Sequence, residues 1–199
     1  MKKLSILFTA ALLSIGSVFG QKTWNIDGAH SNIGFVVTHM VISEVEGVFD
    51  EFEGSLVESE KGLENAKITF KANIASIDTD NEKRDGHLKS ADFFDAEKYP
   101  ELTFVSTSFT HVDGKNYKLK GDLTMKGVTK PVELDVKFNG TVKDGWGNER
   151  AGFKITGEIN RFDYGLNWNA ALETGGLVVS EEVGFDINIE LIAQKESTR

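Results

Sequence analysis

Asp27, His30 and Ser31 lie close together in the stretch DGAHSN and supply the residue types of an acid, a base and a hydroxyl nucleophile. A catalytic triad is defined by geometry rather than by nearness in the chain. A turn rich in Asp, Gly, Asn and Ser forms the same local hydrogen bonds without any chemistry, so catalysis is not expected here. The four histidines, His30, His39, His87 and His111, raise the question of a metal. They include no His-x-His pair and no His-Glu-x-x-His helix, and the chain has no cysteine. On one continuous strand His30 and His39, nine positions apart, point to opposite faces. Neither a metal nor a cofactor is expected.

A second set of residues suits binding. NEKRDGHLKSADFFDAEKYP carries Arg84, His87, Phe93 and Phe94 between two strand-like flanks. These residues could hold a ligand's polar head and the start of its apolar chain. They could equally fasten their own segment, with Arg84 on strand carbonyls, His87 as a capping partner and the two rings filling an end of the fold. Further on, INRFDYGLNW places Tyr164 and Trp168, amphipathic rings, just past a clear strand, while an Arg161–Asp163 pair reads as structural. The run from Leu166 to Ser180 lacks strand alternation and is long for a loop, which marks function or mobility.

The elements that must position these side chains are strands, recognised by strict alternation. Tyr117, Leu119, Gly121, Leu123 and Met125 share one face, with Lys118, Lys120, Asp122 and Lys126 on the other. The same pattern places Val132, Leu134, Val136 and Phe138 inward, then Ala151, Phe153, Ile155, Gly157 and Ile159, then Phe185, Ile187, Ile189 and Leu191. Upstream, Ile68, Phe70, Ala72 and Ile74 form one stripe, and Ile33, Phe35, Val37 and His39 another. Asp-Gly pairs at Asp113-Gly114 and Asp144-Gly145 predict hairpins, and Met125–Pro131 a further reversal with Pro131 at a strand start. About eight strands result, counting TWNID and the next run as one strand bent at Gly28. One face is apolar, the other charged, and neighbours in sequence join through hairpins. That pattern predicts an all-β, antiparallel up-and-down barrel rather than a sandwich. Gly121 and Gly157, inward on apolar strands, mark either a corner or bulge, or space left for a ligand.

The charged segment near residues 80–99 predicts a short helical plug, a helix pair joining two strands across one barrel mouth. Thr79 to Glu82 fits a capping box; Arg84, His87, Leu88 and Ala91 fall on one helical face; Ser90 and Asp92 could cap a second turn; and Pro100 stops it. At this point four stretches, RDGHLKSADFFDAEKYPELTF, DGAHSNIGFVVTHM, GDLTMKGVTKPVELDV and INRFDYGLNW, together resemble the YceI-like family of exported, lipocalin-like proteins. Each is weakly specific alone; in this order they span about Thr23 to Ala193. The resemblance implies a lipocalin-like barrel that holds a polyisoprenoid or a quinone tail in an apolar tunnel. Such folds host varied ligands, so the ligand does not follow from the fold.

The first twenty residues have the form of a cleaved export signal: Lys2 and Lys3, an uncharged apolar run from Leu4 to Phe19, and Val18 and Gly20 before a cut at Gln21. Residues 21–199 then form one domain, periplasmic or secreted. Losing the two lysines takes the formal charge from −9 to −11, which disfavours nucleic acid, and no later segment could form a stable membrane span. The expected function is non-catalytic burial of an isoprenoid-type lipid. Its wall would be Phe35, Val37, His39, Phe70, Ile74, Leu119, Leu123, Met125, Val136, Phe138, Phe153 and Ile155, with Arg84, His87, Phe93, Phe94, Tyr164 and Trp168 at the mouth. The alternatives are a small-molecule enzyme using polar residues at the mouth, or a side-chain-filled barrel acting as an interaction module. A homodimer is compatible with the sequence.

Overall fold

The computed structural model describes residues 21–171 and 177–195. The expected export signal lies outside them, as does part of the Leu166–Ser180 run. Among the described residues are eleven strands, β1 (Thr23–Ile26), β2 (Asn32–His39), β3 (Ser43–Phe49), β4 (Phe52–Ser59), β5 (Gly62–Asn73), β6 (Ile77–Asp78), β7 (Glu101–Asp113), β8 (Asn116–Met125), β9 (Val128–Lys143), β10 (Glu149–Asn160) and β11 (Val179–Ala193), and one α-helix, α1 (Glu82–Lys89). The ladder runs β1-β4-β5-β7-β8-β9-β10-β11 and closes where β1 pairs β11, Trp24 opposite Ala193. β2, β3 and β6 continue β1, β4 and β5 towards one end, with β2 on β11 and on β3. Counting these continuations as bends, the fold is the expected eight-stranded up-and-down barrel, in which closure leaves no free edge.

The bend between β1 and β2 is a short 3-10 turn, Gly28–His30, capped by the Asp27 carboxylate on the Ala29 N–H. β3 and β4 were absent from the alternating runs, and their sequences explain why. Gly47 and Gly54 take inward positions where an apolar side chain would have marked the stripe. A Cβ on Gly47 would lie 2.3 Å from the Phe35 ring, so the glycine is where that ring lies against the sheet. Gly121 behaves alike: a Cβ there would meet the Phe104 ring at 2.3 Å, beside a bulge between Ser106 and Ser108. At Gly157 it would meet Leu134 at 2.5 Å. The space these glycines leave is therefore filled by neighbouring side chains and does not widen the lumen.

Pro131 lies inside β9 rather than at its start. It is tolerated because the β9–β10 ladder ends at Asp135–Thr156, so the missing N–H falls beyond it. The plug is a single helix followed by turns, not a helix pair. Its N-cap is Asn81, whose carboxamide oxygen accepts from the Arg84 N–H at 3.0 Å. Thr79, expected as the cap, instead bonds the buried Asp85 carboxylate through its N–H (3.0 Å) and its hydroxyl (2.5 Å). The inward faces form one core that includes Trp24, Ile33, Leu56, Phe104, Phe109, Leu119, Leu123, Phe153 and Leu191.

Candidate functional site

The strand alternation that builds the barrel also decides what its interior offers. Inward residues of β1 to β5 and β7 to β11 enclose an inner cavity of about 130 Å³. Phe35, Phe70, Leu119, Leu123, Val136, Phe153 and Ile155 line it, as expected, together with Ile33, Leu56, Ile68, Phe104, Leu134 and Ile187. Ser55 and Thr69 reach the lining through their backbone; the alternation that turns Leu56, Ile68 and Phe70 inward leaves their hydroxyls on the outer face, 3.0 Å from each other. A wall without free polar partners stays dry and favours an apolar guest. The lumen is not filled by side chains, which counts against a solid interaction module.

An outer cavity of about 500 Å³ opens at the plug end. Both cavities meet at Phe35, Phe49, Leu102 and Phe185, which line each of them. Val37, His39, Arg84, His87, Phe93, Phe94, Met125 and Trp168 line the outer one, so most of the expected mouth residues converge there. Phe94 continues a chain of rings from the lumen, 6.2 Å from Phe49, which is 5.7 Å from Phe35. His87, Phe93 and Trp168 form a three-ring cluster with centroids 4.8 to 5.3 Å apart. Arg84 fastens its segment, though to Thr79 just past β6 rather than to a strand carbonyl, its Nε donating to the Thr79 hydroxyl at 2.7 Å and Nη2 to the Thr79 carbonyl at 2.5 Å, while it also lines the cavity. The two roles coincide.

Two expected wall residues and one expected mouth residue are placed elsewhere. Ile74 is buried but lies in the 3-10 turn after β5, outside both linings. Phe138 is half-buried at the far end, packed on Phe153 with centroids 5.1 Å apart, and lines neither cavity. Tyr164 is not a mouth residue. It sits in a 3-10 turn (Arg161–Tyr164), buried in the core, and its hydroxyl finds no partner among the described residues. Burial pushes that hydroxyl up to about 12, with Asp163 adding to the shift.

The mouth residue that alternation should have revealed is Arg161. It follows directly on the inward parity of Phe153, Ile155, Gly157 and Ile159, as the first residue of the 3-10 turn after β10. It is 3% exposed and makes no ion pair with Asp163. Its guanidinium donates to the carbonyls of Ser180 (2.8 Å), Trp168 (2.9 Å) and Leu166, and lies over the Phe162 ring at 4.6 Å. Burial lowers its pKa, partly offset by Glu181, yet a guanidinium stays protonated in proteins. Arg161 thus ties the Leu166–Ser180 run to the rim. With Lys83, Arg84, His39 and His87 it lines the outer cavity, and among the described residues no carboxylate does. In a chain of formal charge −9, that is a local inversion of sign.

The sequence near Asp27 resolves differently. His30 Nδ1 is 2.8 Å from Asp27 Oδ2, as in a triad, but the Ser31 hydroxyl is turned to the backbone of Glu190. Asp27, His30 and Glu190 bring ligand atoms within 4.8 Å of one another. Arg150 already supplies the cation: its Nη1 donates to Asp27 at 2.7 Å and to Glu190, and its Nε to Asp144 at 2.9 Å. Those bonds hold the Asp144 carboxyl far below its ordinary value, and the Asp27 carboxyl below its own, with His30 helping Asp27. The cluster is a salt-bridge network joining β1, β10 and β11.

The sequence profile of the YceI-like domain matches residues 24–191. A UPF0312 protein of Staphylococcus aureus strain MSSA476 is 40% identical over 168 residues, covering 84% of this chain and 95% of that one. The solved YceI protein of Campylobacter jejuni is 32% identical, covers 85% of this chain and 96% of its own, and superposes with a TM-score of 0.69. A polyisoprenoid-binding domain from Saccharophagus degradans, 19% identical, shares the fold, with a TM-score of 0.61 over 86% of this chain and 98% of that one.

Proposed function

The chain belongs to the YceI-like domain family, and from that membership and its cavity we propose that it binds and carries an isoprenoid-type lipid outside the cytoplasm, without catalysis. The observation that carries the reading is the joined pair of cavities: a dry apolar tunnel opening into a mouth lined by cations and rings. An amphiphile fits that division, with a prenyl or quinone tail along Leu123, Phe153 and Ile155 and its polar head beside Arg84, His87 and Trp168. The Saccharophagus degradans domain, described as polyisoprenoid-binding, supports the tail's chemical class through the shared fold. The signal-like pattern of residues 1–20 supports a periplasmic or secreted carrier, and outside the cytoplasm a prenyl chain needs a water-excluding escort.

Burial supplies the affinity at roughly 0.8 kcal/mol per CH₂. Summed over a long chain this exceeds what non-covalent complexes reach, about 18–21 kcal/mol, so ordering of the chain must offset much of it. Catalysis would need a polar cluster in the lumen, and among the described residues the inner wall presents none, since the Ser55 and Thr69 hydroxyls lie on the outer face. Mass spectrometry of an organic extract of the protein purified from its own cells tests the reading. A stoichiometric prenyl lipid is the expected result; an empty protein, or a water-soluble metabolite in its place, contradicts it.

A further inference from the structure

A prenyl cargo is insoluble in water, so a carrier must exchange it with a lipid phase, and resting on the reading above, the surface around the mouth is the place to look. The β2–β3 hairpin ends there, since His39 lines the outer cavity. Its tip is Met40-Val41-Ile42, closed by the Ile42 N–H on the His39 carbonyl at 3.2 Å. Met40 (φ 51°) and Val41 (φ 66°) both adopt the left-handed conformation. Such a two-residue turn favours Asn-Gly, and a β-branched residue at positive φ is a genuine outlier. The turn would be easier to form with other residues. Strain held at a site points to a role other than folding.

All three side chains face water: Met40 is 41%, Val41 71% and Ile42 86% exposed. The half-exposed Leu177 adjoins them, because the Met40 N–H donates to the Val178 carbonyl at 2.8 Å. Val178 in turn lines the outer cavity, so this apolar tip is continuous with the mouth. Lys83 and Arg84 flank the same opening, and no carboxylate lines it among the described residues. Acidic groups do lie nearby, Glu44 on β3 and Glu82 and Asp92 on the plug, but outside that lining. Apolar wedge residues beside cations are the chemistry of an anionic lipid surface.

We propose that the Met40–Ile42 tip inserts into a lipid bilayer and docks the barrel mouth-down, so that cargo passes between membrane and lumen without crossing water. The barrel supplies its own control. Val142 and Trp146 are comparably exposed, 63% and 83%, but sit at the β9–β10 hairpin, which the up-and-down topology places at the opposite end.

The test is flotation with vesicles of phosphatidylcholine and phosphatidylglycerol, together with the rate at which a fluorescent prenyl probe moves from vesicles to protein. Val41→Ser with Ile42→Ser should weaken vesicle partition about tenfold or more and slow transfer in proportion. Val142→Ser with Trp146→Ser should do neither. Met40→Asn with Val41→Gly should raise the Tm by relieving the turn, yet still weaken partition, an opposition that damage to the fold cannot produce. Equal flotation by the tip and far-end variants would overturn the proposal. So would a tip-dependent dimer, seen by sedimentation without lipid, in a protein that ignores vesicles. Probe affinity in vesicle-free solution separates the two readings: if it is retained while flotation fails, only the docking falls. If the probe never binds while tip-dependent flotation persists, the carrier function falls and the docking stands.

Discussion

Leu123 is 5% exposed, sits mid-strand on β8 and lines the inner cavity, so a charge placed there reports directly on what enters the lumen. In the ligand-free barrel a glutamate at this position can be wetted from the mouth. When an apolar chain enters, that water leaves and the carboxylate must be buried or protonated. Protonation sets the ceiling. With an ordinary glutamate pKa of about 4.3, neutralising the side chain at pH 7 costs ~3.7 kcal/mol, or roughly 500-fold in affinity. The cost falls by about 1.36 kcal/mol per pH unit, leaving ~1 kcal/mol, about fivefold, at pH 5. Leu123→Glu should therefore bind a fluorescent prenyl probe hundreds of times more weakly than wild type at pH 7 and recover most of that loss at pH 5. Leu123→Gln, of similar shape, should show a smaller deficit without pH dependence. Lys120→Glu, on the outward face of the same strand, should bind like wild type. Circular dichroism must first show each variant folded, since a core charge can also unfold the barrel. Equal binding by folded Leu123→Glu and wild type at pH 7, or a deficit that ignores pH, would refute the reasoning.

Other perturbations follow from the same geometry. Phe94→Ala removes a ring that continues the lumen wall into the plug, so the probe's dissociation rate should rise more than its association rate in stopped-flow measurements. Gly47→Ala sets a methyl against the Phe35 ring, which must swing into the junction of the two cavities; the cost is about 1–3 kcal/mol of stability by thermal melt, with weaker probe binding besides. Arg150→Gln bears on acid stability. The Asp27 and Asp144 carboxyls are held below their ordinary 3.8, so they stabilise the fold fully above about pH 4, and that contribution fades as pH falls through their lowered values. The variant should be less stable at pH 7 and should lose less between pH 5 and pH 2 in denaturant titrations, whereas a parallel loss in both proteins would exclude the network. Chelators should leave the Tm unchanged, because the guanidinium supplies the charge that a metal at Asp27, His30 and Glu190 would bring.

The barrel was legible wherever one strand face is apolar and the other charged. The stripes Leu119–Met125, Val132–Val136, Ala151–Ile159 and Phe185–Leu191 are inward as their parity demanded. Parity failed at β3 and β4, where glycine replaces a side chain to admit the Phe35 ring at Gly47 and the Ile26 side chain at Gly54. It also stops carrying information once a strand ends. Ile74 and Tyr164 lie in 3-10 turns that redirect them into the core, and Phe138 stands beyond the cavity's reach. Arg161, the first residue of the same turn as Tyr164, was read as half of a structural pair with Asp163, but its guanidinium turns to backbone carbonyls instead. Four backbone carbonyls and an aromatic face make its burial tolerable, and none of these could be seen in sequence. The plug was recognised as helical, but its cap shifted from Thr79 to Asn81 because the buried Asp85 claims the threonine.

The central claim is that a prenyl chain lies inside the barrel with its head at the plug. A prenyl analogue carrying a photoreactive diazirine at the tail end can be bound, irradiated and mapped by peptide mass spectrometry. The account predicts labelling within β8, β10 and β11, at or beside Leu123, Phe153 and Ile187, with a head-end diazirine shifting the label to the plug and to the Leu166–Trp168 stretch. Labelling confined to outward-facing residues, or identical for both probe positions, would contradict it.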